Sequence, residues 1–193
     1  MGRNAHFKNE QFVASALKIA ADQGPAAVTI AAVAGEVGAP VGSVYHRFLS
    51  RDILLAEVWL QVVTSFQKGF LKALNSDEGL QAALHTPRWV RLNPAEARIL
   101  LLYRREELVS GAWPEELREG TMEVARQLND DIHKYAKRTF GRASRLELGR
   151  TIFALIDVPY AAVLRYIRQG KKPPMAVEDY IREIYFTIMG REK

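Results

Sequence analysis

Apolar residues recur at helical spacing along almost the whole chain, and no segment alternates with period two for long enough to argue a strand. Phe12, Ala16, Ile19 and Ala20 share one face of a helix expected over about Asn9 to Asp22, which Gly24-Pro25 ends. Thr29 reads as the N-cap of a short helix, Ile30 to Val37, and Gly38 supplies the turn after it. Pro40 stands where a first-turn proline is tolerated, opening a second short helix to about Phe48. Ser50 caps a long helix to about Leu74, with Asp52 in the first turn where the helix dipole favours it. Leu55, Val58, Trp59, Val62, Phe66 and Phe70 form its apolar stripe.

Punctuation follows at Asn75-Ser76-Asp77, at Pro87 and at Asn93-Pro94. Asn93-Pro-Ala-Glu96 combines a cap, a first-turn proline and an acid at the third position, opening a helix that carries Ile99 to Tyr103 and Leu108-Val109. Gly111 to Pro114 separates it from a helix reaching about Phe140. Ser144-Arg-Leu-Glu147 is a further capping box, starting a helix to about Gln169. Gly170-Lys-Lys-Pro-Pro174 breaks the chain before a last helix, about Val177 to Met189. The fold class is all-α, with about nine helices, three short ones followed by longer ones.

The segment Thr29 to Phe48 carries the chemistry. Two short helices around a glycine turn form a helix-turn-helix, whose second helix must project to enter a major groove about 12 Å wide. Ile30, Val33, Val37, Val44 and Phe48 are suited to hold the pair from inside, leaving Val41, Gly42, Ser43, Tyr45, His46 and Arg47 to face outward. No acid stands between Val37 and Arg51 to repel phosphate. The chain as a whole carries 27 Lys and Arg against 22 Asp and Glu, a formal charge of +5, which favours an anionic partner. That excess is not concentrated in residues 1–51, so charge alone decides little.

This segment resembles the DNA-binding part of the TetR family of transcriptional regulators. The resemblance rests on Gly42-Ser43-Val44-Tyr45-His46-Arg47-Phe48 and Ser50-Arg51. It extends back to Phe12-Val-Ala-Ser-Ala-Leu17 and Gly24, and forward to Leu54-Leu55, covering about residues 8–60. It implies a three-helix DNA-binding domain over 1–51 and a regulatory, ligand-binding and dimerisation domain over 52–193. The DNA-binding residues it implies, taken with the outward-facing positions, are Thr29, Val41, Gly42, Ser43, Tyr45, His46, Arg47 and Arg51. Tyr45 and Arg51 are expected on phosphates, Arg47 on a base or phosphate, and the Thr29 N–H at a helix N-terminus. Arg3 and Lys8 are candidates for a basic arm. Pro40 replaces the usual capping serine, Val41 a common basic residue and Arg47 a common histidine, so an operator sequence does not carry over.

The remaining features set the partners. Apolar residues make up 48 % of the chain and charged residues 25 %, enough for a core and too apolar for a disordered chain. No apolar run approaches the roughly 18 to 20 residues that span a bilayer. The opening MGRNAHFKNEQF has no apolar stretch of a secretory signal, so a cytoplasmic location and no membrane partner are expected. With no cysteine, thiolate chemistry and cysteine-held metals are excluded. The four histidines (His6, His46, His85, His133) are scattered, and Asp130-Asp131-Ile132-His133 offers one half of a di-iron site where an oxidase needs two.

No cofactor and no enzymatic activity are therefore expected, the alternative being a metal-dependent helical-bundle enzyme with an inert helix-turn-helix. Helices 144–169 and 177–189 carry apolar residues on more than one face, which points to a homodimer. Phe66, Phe70, Tyr103 and Tyr160 are candidates for a pocket that takes a mostly apolar small-molecule effector, with Trp59, Trp89 and Trp113 the other large aromatics in reach. Asp157, within Thr151-Ile-Phe-Ala-Leu-Ile-Asp-Val-Pro-Tyr, is expected either to face that pocket or to pair with an arginine. Pro159 is expected to kink the helix there. The partners implied are thus double-stranded operator DNA, a second copy of the chain and an effector.

Overall fold

The computed structural model describes residues 7–104, 107 and 114–190; Arg3, His6, Leu108-Val109 and Gly111 to Trp113 lie outside the described residues. Among the described residues every regular element is helical. α1 (Asn9–Gln23) ends at Gly24, whose φ of 88° a side chain would resist. A short 3-10 turn (Pro25–Ala27) leads to α2 (Ile30–Val37), capped as expected by Thr29, whose hydroxyl accepts from the Ala32 N–H at 3.0 Å. Gly38 closes α2 in the left-handed region at φ 71°.

α3 is shorter than the sequence suggests, Val41–Tyr45. Pro40 precedes it as the N-cap, with φ −60° and ψ 140°, instead of sitting inside the first turn. Its extended ψ holds it outside the helix, while its carbonyl still accepts from the Ser43 N–H at 2.9 Å. Ser50 caps α4 (Arg51–Asn75) through the Ile53 N–H at 3.2 Å.

α5 (Gly79–Leu92) runs straight through Pro87, where the sequence places punctuation. The lost backbone bond is offset by packing on both sides of it, since Ala82, Ala83, Leu84, Trp89 and Val90 are all buried. α6 (Pro94–Leu102) begins at the expected proline, but Asn93 does not cap it. Its side-chain amide turns back and donates to the Trp89 carbonyl at 2.9 Å, closing α5 instead. α7 (Glu115–Phe140) ends at Gly141, φ 73°.

Ser144 opens α8 (Arg145–Ile152) by accepting from the Leu146 N–H at 3.3 Å. The box is not reciprocal: the Glu147 carboxylate takes the Ser144 hydroxyl and, at 3.0 Å, Arg142 Nε. The serine hydroxyl first, with Arg142 beside it, holds the Glu147 carboxyl below the usual carboxylate range. The kink expected at Pro159 takes the form of a π-turn, Phe153–Asp157, before α9 (Val158–Arg168). Val158 N–H reaches back to the Phe153 carbonyl, and the wider turn accommodates a proline that has no N–H to give. α10 (Ala176–Met189) completes the chain.

α4 is the axis. Its buried face, including Leu54, Leu55, Val58 and Val62, packs against α1 near one end and against α5 and α7 along its length. α10 lies on α5. Between them the buried Tyr135 and Tyr185 hydroxyls meet at 3.0 Å. Buried carboxylates are paired, as burial demands. Glu178 on α10 takes Arg88 at 2.9 Å and also Arg91, both on α5. Asp131 takes the Asn75 amide and Lys134, both at 3.0 Å.

Candidate nucleic-acid interface and ligand cavity

α3 is held from below and open from above. Val44 and Phe48 are fully buried with Ile30 and Val33, as the apolar pattern requires, and Val37 is half-buried. Phe48 meets the Phe12 ring edge-on at 6.3 Å, which fastens the turn after α3 to α1. The opposite side presents Val41, Gly42, Tyr45 and His46, with Val41 44 % and Tyr45 52 % exposed. Large side chains left this open on a helix of five residues are not there for packing. Ser43 is half-buried. The nearest acid, Glu36, is held by Lys18 of α1 at 2.5 Å, a pairing that also raises the lysine pKa.

The two arginines do not stand outward. Arg47 folds back, donating from Nη1 to the Ser43 carbonyl at 2.9 Å and from Nη2 to the Phe7 carbonyl at 2.7 Å. Its guanidinium also lies over the Phe12 ring at 5.5 Å. The helix ends at Tyr45, so the next residues turn toward α1 and take Arg47 with them. Arg51 likewise donates to the Val28 and Pro25 carbonyls, both at 2.7 Å, and to Asp52 at 3.1 Å. It ties the start of α4 to the turn before α2. Lys8 is exposed, and its backbone N–H is taken by Gln11 Oε1 at 2.8 Å.

A cavity of about 230 Å³ opens among α4, α5, α6, α7 and the helix formed by α8, the π-turn and α9. Phe66, Phe70 and Tyr160 line it, as the sequence suggests, and Phe66 and Phe70 stack at 6.2 Å. Tyr160 donates its hydroxyl to the Leu101 carbonyl at 3.2 Å. Trp89 is buried edge-on against Phe66, at 5.2 Å, and His85 lies 5.1 Å from the same ring. Two expected residues lie elsewhere. Tyr103 follows the end of α6 with extended backbone, φ −113° and ψ 135°, which carries it off the helical stripe to the neighbourhood of Gly24. Asp157 is exposed on the outer side of the π-turn and, among the described residues, makes neither ion pair nor hydrogen bond. Its place in an apolar run misled because that run is apolar on both an inner and an outer face.

The residues that pattern reading missed are Gln67 and Thr86, which line the cavity and are only 7 % and 4 % exposed. Neither side chain makes a hydrogen bond among the described residues. Gln67 stands beside Phe66 and one turn from Val63 and Phe70, and a lone amide on that stripe was the available signal. Among the described residues no group of three or more His, Asp or Glu converges as a metal site.

Residues 12–58 match the sequence profile of the bacterial regulatory proteins, tetR family. That segment is similar to the TetR family's. The structural neighbours extend the likeness of fold over almost the whole chain. FadR from Bacillus subtilis, solved in complex with stearoyl-CoA, is 13 % identical with a TM-score of 0.69, over 96 % of this chain and 100 % of its own. A TetR-family member from Streptomyces coelicolor A3 is 16 % identical with a TM-score of 0.62, over 93 % and 96 %. The multidrug binding protein EbrR, complexed with ethidium, is 17 % identical with a TM-score of 0.57, over 93 % and 96 %. No curated protein matches the chain in sequence. The architecture is thus TetR-like, an N-terminal helix-turn-helix segment followed by a helical C-terminal part. Among the described residues no helix is long and apolar enough to cross a membrane.

Proposed function

We propose that this chain is a ligand-responsive transcriptional repressor that binds a palindromic operator as a homodimer in the cytoplasm and is released by a small molecule. The observation that carries the reading is α3: a short helix with Tyr45, Val41, Gly42 and His46 open on one side and Val44 buried on the other. Residues 1–51 act as the reader and 52–193 as the regulatory body. Tyr45 donates to a phosphate, the α2 N-terminus at Thr29 offers its amides to another, and His46 and Ser43 face the groove. Arg47 and Arg51 act chiefly by holding the reader in shape.

The dimer reading is supported by apolar side chains left open on the last helices. Ile152, Phe153 and Tyr160 on one side and Tyr180 and Ile184 on α10 are each more than a third exposed. Their neighbours Leu155, Val163, Ile181 and Tyr185 are buried in the core, so each helix has one face inside and one for a partner.

The effector reading is supported by the cavity and by the ligands seen in FadR and EbrR. No charged side chain lines it, so the effector is uncharged and mostly apolar, with one hydrogen-bonding group for Gln67 and Thr86. An effector that prefers the arrangement misfitting DNA lowers operator affinity by population shift. Footprinting on DNA flanking the protein's own gene tests the reader: a protected palindrome is expected, and no protection at any salt concentration overturns it. A thermal-shift screen tests the cavity, since a ligand at a hundred times its dissociation constant stabilises by roughly 2.7 kcal/mol.

A further inference from the structure

A second cavity, about 340 Å³, lies where the end of α1 meets α6 and the turn after α9. Its chemistry is unlike that of the first. Arg98, Lys171 and Lys172 line it, with Asp22 as the one acid. Arg98 is half-buried, and its Nε has no solvent access and no hydrogen-bond partner. Its guanidinium forms no ion pair among the described residues. On α5, by contrast, Arg88 and Arg91 both meet Glu178, although Arg91 Nη1 is likewise a buried donor without a partner. A partly desolvated cation with an unmet donor is unfavourable, and its repulsion from the two lysines adds to that.

The surroundings complete the picture. A Cβ built on Gly170 would lie 4.0 Å from Arg98 Nη1, so the guanidinium reaches the turn that carries the lysines. Pro94 and Ala95 of the first turn of α6 also line the cavity. That turn has no side-chain cap, because Asn93 faces α5, and its dipole favours negative charge.

We propose that this cavity binds a small oxyanion, the carboxylate or phosphate group of a metabolite, with Arg98 as its central donor and Lys171 and Lys172 at the entrance. A planar guanidinium suits the two oxygens of either group, and the volume leaves room for an organic remainder. Asp22 belongs to α1, whereas the cations belong to α6 and the turn after α9. A bound anion relieves the repulsion among the cations but meets Asp22 as a like charge, so its binding biases where α1 and the helix-turn-helix behind it sit, a second input beside the apolar effector.

The test uses the full chain without DNA, so it stands apart from the operator reading. Melting temperature and calorimetric binding are followed against sodium phosphate and sodium citrate, with sodium chloride at matched ionic strength as the reference. Saturable binding of phosphate or citrate beyond the chloride response is expected, and the stronger of the two arms identifies the favoured oxyanion. Arg98→Met should abolish it while leaving the melting temperature of the unliganded chain unchanged or higher, because no partner is lost. Lys171→Gln with Lys172→Gln should weaken it about tenfold. The exposed pair Lys68→Gln with Lys72→Gln, on α4, should leave it intact. No response beyond chloride in the natural chain, or an equal response in Arg98→Met, overturns the proposal. If Arg98→Met fails to fold, Arg98 is structural, and retained binding in the lysine pair variant then overturns the site as well.

Discussion

Tyr45 and Arg47 are two positions apart, yet one hydroxyl faces solvent and one guanidinium faces the protein. Their substitutions should therefore separate. Tyr45→Phe should weaken operator binding by about 1 kcal/mol or more and leave stability alone, since it removes an exposed donor only. Arg47→Ala should lower stability itself by about 1–3 kcal/mol, because the Phe7 and Ser43 carbonyls lose a charged donor. Gel-shift titration and urea unfolding of the two variants check this; equal stability loss in both would show that Tyr45 is a packing residue.

His85 makes a pH prediction. Burial, the dominant cause, holds its pKa below the ordinary histidine value, Arg88 adds to this, and a bond to the Phe66 carbonyl at 2.8 Å opposes it. The unfolded chain thus takes up the proton first as pH falls. The histidine's contribution is present above about pH 6.5 and is lost as pH drops toward its folded-state value. Melting temperature should decline from pH 7 to pH 5, and less steeply in His85→Gln.

At the scale of elements, the bundle depends on close approaches that allow no side chain. Gly79, the first residue of α5, sits against the buried hydroxyls of Tyr135 from α7 and Tyr185 from α10, and a Cβ there would overlap both. Gly79→Ala improves helix propensity but should still destabilise by about 1–3 kcal/mol, through overpacking of a site three helices share. A chemical-denaturation midpoint raised by this change would mean that the tyrosine pair can move aside. The helix of α8, the π-turn and α9 shows a different adjustment. Pro159 announces a break, yet packing of Leu155 and Val163 on either side keeps one continuous rod with a single widened turn.

For the whole molecule, the exposed apolar face is the decisive surface. Ile184, 39 % exposed, lies on α10 among residues whose other face is core. Ile184→Glu should give a folded monomer that binds operator poorly, because one half-site alone is weak. Sedimentation at micromolar concentration reads the outcome; a natural chain already monomeric would refute the dimer.

Most helices, most helix ends and the helix-turn-helix were legible in the sequence because they are local; α5 was not, because Pro87 reads as punctuation and only tertiary packing carries the helix through it. Thr29, Gly38, Ser50 and Gly170-Lys-Lys-Pro-Pro174 act on the backbone within a few residues, and the period of apolar residues names the buried side of each helix. The sequence thereby determined an all-helical fold with a TetR-like helix-turn-helix and a cavity lined by Phe66, Phe70 and Tyr160. Tertiary structure alone decided the direction of each polar side chain that has a choice. Arg47 and Arg51 turned inward because the carbonyls of Phe7, Val28 and Pro25 lay within reach, the last with a lone pair to spare beside its bond from the Val28 N–H. Asp157 turned outward because the π-turn places it on the far side from the cavity, and Tyr103 left the cavity where α6 ends. Gln67, Thr86 and Arg98 acquired their meaning only from what was packed around them: the energy of a polar group depends on the partners that distant helices bring, and no window of sequence contains those partners.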